Sequence, residues 1–404
     1  MSFFKKQTSV NRVAPHLPKE VRQKGVEGIA MEKWFLRLFL LAVIFGFVSG
    51  IVGGMVVNSS FFDNWFWGEG GVWKANTGVI RSESKNLSRD NLSRRAFGVI
   101  LEIYPVGAVG KDGLLDKDKK LAGGFFLTSN GYAATVKSLF EKYSRKDLVA
   151  VTAEQKILQL EKVFLDPISD LAIFKVNVSE ITTLPFLYED DIYSDLDLYL
   201  PAKEAGLISS KVVSPNFWQP FSKSDYYFSS EQIYRAGILR DSFDSRFAGS
   251  PLINNRGELA GMILDVQDKA VKFNLFVKSP ILRTAITQIL DNGEIRRAYL
   301  GANFLEAGQK LALDGKNSER GIILTNNPRN GALYLEKKSP LIAVGLKIGD
   351  IIVGVGDEVI SAVRSLPEIL SEYQPGTKVN IKFERNRVEN AVSVELGKII
   401  SIIK

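Results

Sequence analysis

Apolar and polar positions divide the chain into three regimes. From Leu38 to Val57, 20 residues pass without a charge. At about 1.5 Å per residue that run is long enough to cross a hydrocarbon core about 30 Å thick, which predicts a transmembrane helix over 38–57. It continues into Asn58-Ser59-Ser60 and then aromatic residues, where a signal peptide would show a shorter apolar core and a small-residue cleavage site. A retained anchor follows. Gly46, Gly50 and Gly54 share one helix face, a spacing that lets two such helices approach closely. Residues 58–95 read as a linker, in which 75–95, rich in Ser, Asn and Arg, is a hydrophilic tether with one short amphipathic turn.

The second regime consists of short β-branched and aromatic runs. Phe97–Tyr104, Gly124–Leu127, Val149–Thr152, Leu171–Val176, Leu196–Leu200 and Gly261–Leu264 are separated by turn signals such as Ser129-Asn130-Gly131 and Asp166-Pro167. Many short strands without intervening helices predict an all-β sandwich or barrel. A helix follows at Pro280–Leu290, with Ile281, Leu282, Ala285, Ile286 and Ile289 on one face and Asn292-Gly293 as its stop. The third regime, from Tyr299, is a small α/β unit. Leu366–Tyr373 reads as a helix there, and Val379, Ile381 and Phe383 alternate as a half-buried strand.

Charge changes this picture only at the N-terminus. The net charge is +7, but residues 1–37 alone hold eight Lys/Arg against three Glu. A basic flank of this kind stays cytoplasmic, which places residues 58–404 outside the cytoplasm, periplasmic or at the cell surface. The near-neutral remainder argues against a nucleic-acid partner. There is no Cys, and the one His, His16, lies in the basic segment. No metal-ligand cluster or phosphate-cradling loop stands out, so neither metal nor cofactor is expected.

Three stretches carry a family resemblance. Gly123–Thr135 resembles the strand and turn that lead to the catalytic His of HtrA/Deg-type serine proteases. Asp166–Val176 resembles the segment with their catalytic Asp. Ala248–Asn254, with Gly257–Gly261, is similar to the segment around their nucleophile. Gly293–Gly301 matches the junction between protease and PDZ domains, and Ser339–Ile352 resembles the short helix, turn and strand of bacterial PDZ domains. The resemblance implies an N-terminal transmembrane helix, an all-β chymotrypsin-like double β-barrel over 96–295 and a C-terminal α/β PDZ domain over 296–404. It further implies a homo-oligomer, a trimer through Phe97 and its neighbours.

Carried over residue by residue, the catalytic His position falls on Ser138, the Asp on Asp170 and the nucleophile on Ala248. A serine protease needs a hydroxyl nucleophile, an imidazole base, a carboxylate that orients the base, and amides that hold the oxyanion. Two of the three triad members are therefore missing. In the oxyanion loop Arg246 replaces a Gly, ahead of Phe247, which is expected to re-route the loop and its amide. Asp170 reads as a structural carboxylate, bonded to backbone or to Ser138. A Ser–Lys dyad of Ser245 or Ser250 with Lys137 can be written down, but nothing in the sequence buries Lys137 to lower its pKa.

By the same resemblance Tyr299-Leu300-Gly301-Ala302 is the loop that binds a peptide's terminal carboxylate, with Leu300 and Ala302 flanking an apolar pocket. The expected function is a membrane-anchored pseudoprotease of protein quality control that binds unfolded or C-terminal polypeptide segments, or regulates an active protease partner. Two alternatives stand beside it: an active endopeptidase using unconventional residues, and a structural oligomeric membrane scaffold.

Overall fold

The computed structural model describes residues 86–218, 227–265, 274–309, 320–327 and 331–399. The segments at 1–37 and 38–57, with the Gly46, Gly50 and Gly54 face and most of the linker, lie outside the described residues. Among the described residues no helix is long and apolar enough to cross a membrane. All of these residues belong to one compact unit, Glu83–Lys404.

The short apolar runs close into two six-stranded antiparallel barrels. The first uses β1 (Ile100–Pro105), β2 (Ala122–Phe126), β3 (Tyr132–Val136), β4 (Leu148–Thr152), β5 (Ile157–Leu165) and β6 (Leu171–Val176), in the order β1-β2-β3-β6-β5-β4. In the second, β7 (Asp197–Ala202) and β8 (Gly206–Trp218) join four later strands. A two-residue strand, β9 (Phe228–Ser229), leaves this barrel, and the chain returns as β10 (Arg235–Leu239), β11 (Pro251–Ile253), β12 (Leu259–Ile263) and β13 (Leu275–Lys278). The order around it is β10-β13-β12-β11-β7-β8. β2, β10 and β12 are buried at every position, and β2 and β12 read as continuous apolar runs while β10 opens on Arg235. One core cluster spans both barrels, from Leu101 and Phe125 to Met262 and Val277.

The end of the tether is more ordered than its composition predicts. Arg89–Phe97 forms α1, with the Ser88 hydroxyl accepting from the Asn91 amide as N-cap. Polar residues cover its outer face while Leu92 and Ala96 are buried, so two small apolar side chains suffice to dock it. Phe97, expected at an oligomer contact, packs against the core of its own chain. A short helix, α2 (Ser138–Lys142), follows β3. The expected helix at 280–290 is α3 (Ser279–Asn292), which buries the predicted face and stops at Gly293, whose φ of 72° favours glycine.

The C-terminal unit pairs β14 (Ala298–Tyr299) with β21 (Gly397–Lys398). Its main sheet is built from β15 (Asn303–Glu306), β16 (Ile322–Leu324), β17 (Ile351–Val355), β19 (Lys378–Arg385) and β20 (Val388–Glu395), with β18 (Glu358–Val359) on β17. Val379, Ile381 and Phe383 point inward as their alternation predicts. Two short helices, α4 (Pro340–Ala343) and α5 (Leu366–Ser371), complete the unit. β9, from the barrel side, adds to β15 as the outermost strand of this sheet.

Buried charges join barrels and C-terminal unit. The Arg297 guanidinium donates to both oxygens of Asp166, Nε at 3.0 Å and Nη2 at 2.9 Å, and its Nη1 donates to the Ser371 carbonyl at the end of α5. Both partners are fully buried. Lys278, also buried, meets Glu189 at 2.7 Å and Glu368 of α5 at 2.8 Å. Burial works against its charge, and the two carboxylates more than offset this, holding the ammonium above its ordinary pKa. Arg235 of β10 pairs with Glu306 of β15, which also accepts from the Tyr234 hydroxyl at 2.7 Å.

Breaking such a pair from one side leaves a buried charge without its counter-ion, at a cost of about 3–5 kcal/mol. Arg297→Met is therefore expected to lower unfolding stability by about that amount in urea titrations, and Asp166→Asn in the same background to recover part of it. Equal stability of wild type and Arg297→Met would refute this role.

Candidate functional site

The three triad positions lie where the two barrels meet. β3 pairs with β6, with Val136 opposite Leu171. This register brings Ser138, at the start of α2, against Asp170. The Ser138 amide donates to Asp170 Oδ1 at 2.9 Å, while its hydroxyl turns away and donates to Asp265 Oδ2 at 3.2 Å. The Asp170 carboxylate therefore binds backbone, as a structural carboxylate would. Burial is the main influence on its acidity, pushing it from an ordinary 3.8 up to about 6. The Ser138 amide and Lys137 pull the other way; Asp265 and Glu141 add to the rise.

Ala248 closes a 3-10 turn over Ser245–Phe247. The Asp244 side chain caps this turn by accepting from the Arg246 amide at 2.9 Å. The Phe247 amide donates to the Asp244 carbonyl and the Ala248 amide to the Ser245 carbonyl. All three amides that could face an oxyanion are thus satisfied within the loop. The Arg246 guanidinium folds back on the same Asp244 carboxylate, with Nε at 3.0 Å. Asp244 is held below its ordinary pKa by the Arg246 side chain and amide. The loop around Arg246 and Phe247 is thus organised by a negatively charged cap, Asp244.

Among the described residues no hydrogen bond joins Lys137 to Ser245 or Ser250. That ammonium donates to the Asp166 carbonyl at 3.0 Å. Ser250 is buried against Gly123, where its hydroxyl would lie 2.1 Å from an added Cβ. Among the described residues no group of His, Cys, Asp and Glu has the makings of a metal site.

In the Tyr299–Ala302 segment, expected to bind a terminal carboxylate, Leu300 and Ala302 are fully buried. Gly301 takes φ +69°, and a Cβ there would meet the Tyr299 hydroxyl at 2.6 Å. Its amides converge on a group that the sequence did not point to. Leu300 and Gly301 donate to Glu231 Oε1 at 3.0 and 2.8 Å. The Ala302 amide donates to Ser230 Oγ at 2.9 Å, and the Ser230 amide to the Ala302 carbonyl at 2.9 Å. Upstream, Ser229 and Phe228 pair with Asn303 and Phe304. The groove beside β15 is therefore filled by the chain itself. Glu231 and Ser230 carry no motif in the sequence; the one local signal is the aromatic run Tyr226-Tyr227-Phe228 directly before two serines and a carboxylate.

The acidity of Asp170 gives a pH dependence of known sign. Its folded pKa lies above the unfolded one, so its contribution to stability is full below about pH 4 and is lost as pH rises through about 6. Asp170→Asn is expected to remove this loss and to be more stable than wild type at pH 8 by about 1–3 kcal/mol, with little difference at pH 4. Parallel urea midpoints across that range would contradict the assignment.

A family model for the PDZ domain matches residues 308–396, a span that begins just beyond the Tyr299–Ala302 segment. Over 302 residues the chain is 20% identical to a DegP-like periplasmic serine endoprotease of Halomonas elongata, covering 71% of this chain and 58% of that protein. The serine endoprotease DegS of Haemophilus influenzae is 22% identical over 350 residues, covering 82% of this chain and 91% of the relative. The chain thus spans little more than half the length of the DegP-like relative but most of DegS. In fold it is similar to the solved HtrA-type protease AlgW with a decapeptide, at TM-score 0.56 and 15% identity, over 78% of this chain and 100% of that one. AlgW with a tripeptide gives the same TM-score at 16% identity, over 78% of this chain and 98% of that one. With barrels, junction and PDZ domain in the shared order, the chain belongs to the HtrA/DegP family, a trypsin-like serine protease fold joined to a PDZ domain.

Proposed function

We propose that this chain is an HtrA-like pseudoprotease that binds polypeptide segments or protein C-termini through its PDZ domain, as a chaperone, adaptor or regulator in protein quality control. The observation that carries the reading is the loop at Ala248. A methyl group stands at the nucleophile position, and the amides of Arg246, Phe247 and Ala248 are bound inside the loop. Ser138 at the base position cannot accept and return a proton near neutral pH as an imidazole does. At these three positions no hydroxyl and base stand together to carry a step of acyl transfer.

Binding is supported by the carboxylate-holding amides of Leu300 and Gly301 and by the PDZ match. AlgW, of the same fold, has been solved with a decapeptide and a tripeptide. The periplasmic character of the DegP-like relative supports an extracytoplasmic position for residues 58–404. The charge-free run at 38–57 with its basic flank supports a membrane anchor.

Carbonate-washed membranes are expected to retain the full chain. After detergent extraction, the chain is expected to hold a reduced, carboxymethylated protein at its full length. Release by carbonate would remove the anchor, and shortening of the bound protein would remove the pseudoprotease reading.

A further inference from the structure

The segment that fills the PDZ groove enters it with the polarity of a ligand. Phe228 and Ser229 extend the sheet antiparallel to β15, and the chain then runs toward the Tyr299–Ala302 loop. A polypeptide ending at residue 230 would present its terminal carboxylate to the Leu300 and Gly301 amides, where Glu231 Oε1 now sits. The side chain of Glu231 thus supplies the charge that a chain terminus would supply from its backbone. Past it the main chain turns away, and Ile233 bonds the Ile168 carbonyl of the barrel side.

This occupant is an imperfect one. Only Oε1 reaches the loop amides; Oε2 is held by the hydroxyl of Ser229 at 2.9 Å. Burial pushes the Glu231 carboxyl up from its ordinary value, against the lowering by Gly301, Ser230, Leu300 and Ser229. The aromatic contact is better made. Two residues before Ser230, the Phe228 ring stacks on Tyr234 at 4.0 Å and tilts against Phe304 at 6.1 Å. Tyr234 does not depend on that stack for its place, because Glu306 fixes its hydroxyl.

We propose that Phe228–Glu231 is a built-in occupant of the PDZ groove, a pseudo-C-terminus that an incoming polypeptide must displace. The displacing ligand is a chain end with a free carboxylate and an aromatic side chain two residues before its last. The carboxylate takes the amides from Glu231, and the aromatic ring takes the slot that Phe228 leaves between Tyr234 and Phe304. This rests on the peptide-binding reading given above. Because the groove is open only in the fraction of molecules whose segment has left, apparent affinity is reduced by that fraction.

The test uses the full chain in detergent and a fluorescein-labelled decapeptide copying residues 221–230, with a free carboxylate or as its amide. Glu231→Ala is expected to bind the carboxylate form about 10-fold or more tightly than wild type does, and the amide form is expected to bind neither. A second variant joins Ser229→Cys to Asn303→Cys, opposed positions in a chain with no other Cys. Its oxidised form is expected to lose peptide binding, and reduction to restore it. Equal affinities of wild type and Glu231→Ala, or undiminished binding by the oxidised pair, would overturn the occupant and leave peptide binding standing. No binding by any form, the reduced pair included, would overturn the peptide-binding reading and the proposal with it.

Discussion

A carboxylate removed from water must find a counter-charge, and Asp166 finds its own in Arg297, 131 residues along the chain. The junction between barrels and PDZ domain is arranged around that requirement. Asp166 sits in the turn before β6, its oxygens also accepting from the Ser169 hydroxyl and the Ile168 amide. Arg297 lies at the junction with the PDZ domain and reaches the end of α5 as well. A solvent-exposed pair would contribute little to stability. Fully buried, this one has neither water nor a second counter-ion at hand, so removing one partner from the closed structure leaves the other charge uncompensated.

Lys278 with Glu189 and Glu368, and Arg235 with Glu306, repeat the device along the same seam. The Arg235–Glu306 pair fixes the end of the barrel-side segment 228–235 beside β15. The catalytic residues of a working protease must be free to meet substrate. In this chain Asp170 serves the Ser138 amide and Asp244 caps the nucleophile loop, so groups near the vacated site serve the fold. The machinery that remains serves rigidity and, at the other end of the seam, occupancy of a binding groove.

What could be read from the sequence divides along contact range. The strand runs, α3 with its Gly293 stop and the alternation at Val379–Phe383 follow from local period and turn chemistry, which act between near neighbours. The lack of an imidazole base could be read from residue identity alone, because no His lies beyond His16, whereas the assignment of Ala248 to the nucleophile position came from the family resemblance. Glu231 could not. It is an ordinary carboxylate after two serines, and only the pairing of Ser229 with Asn303, 74 residues apart, gives it a role. The tether's end hid α1 for a related reason: Leu92 and Ala96 make a weak stripe, and docking on the barrel decides the helix. Asp166 and Arg297 look like surface charges in one dimension because their partner is distant.

A pseudoprotease requires that no serine in the chain be activated. Intact-mass spectrometry after incubation with an alkyl fluorophosphonate reads this directly, because the reagent adds irreversibly to nucleophilic serine hydroxyls. With Ala248 in place of the nucleophile and no imidazole in either barrel, the mass is expected to stay unchanged at both pH 6 and pH 8. A single stoichiometric adduct, lost on Asp170→Ala, would show a working nucleophile that depends on the retained carboxylate, and would contradict the account.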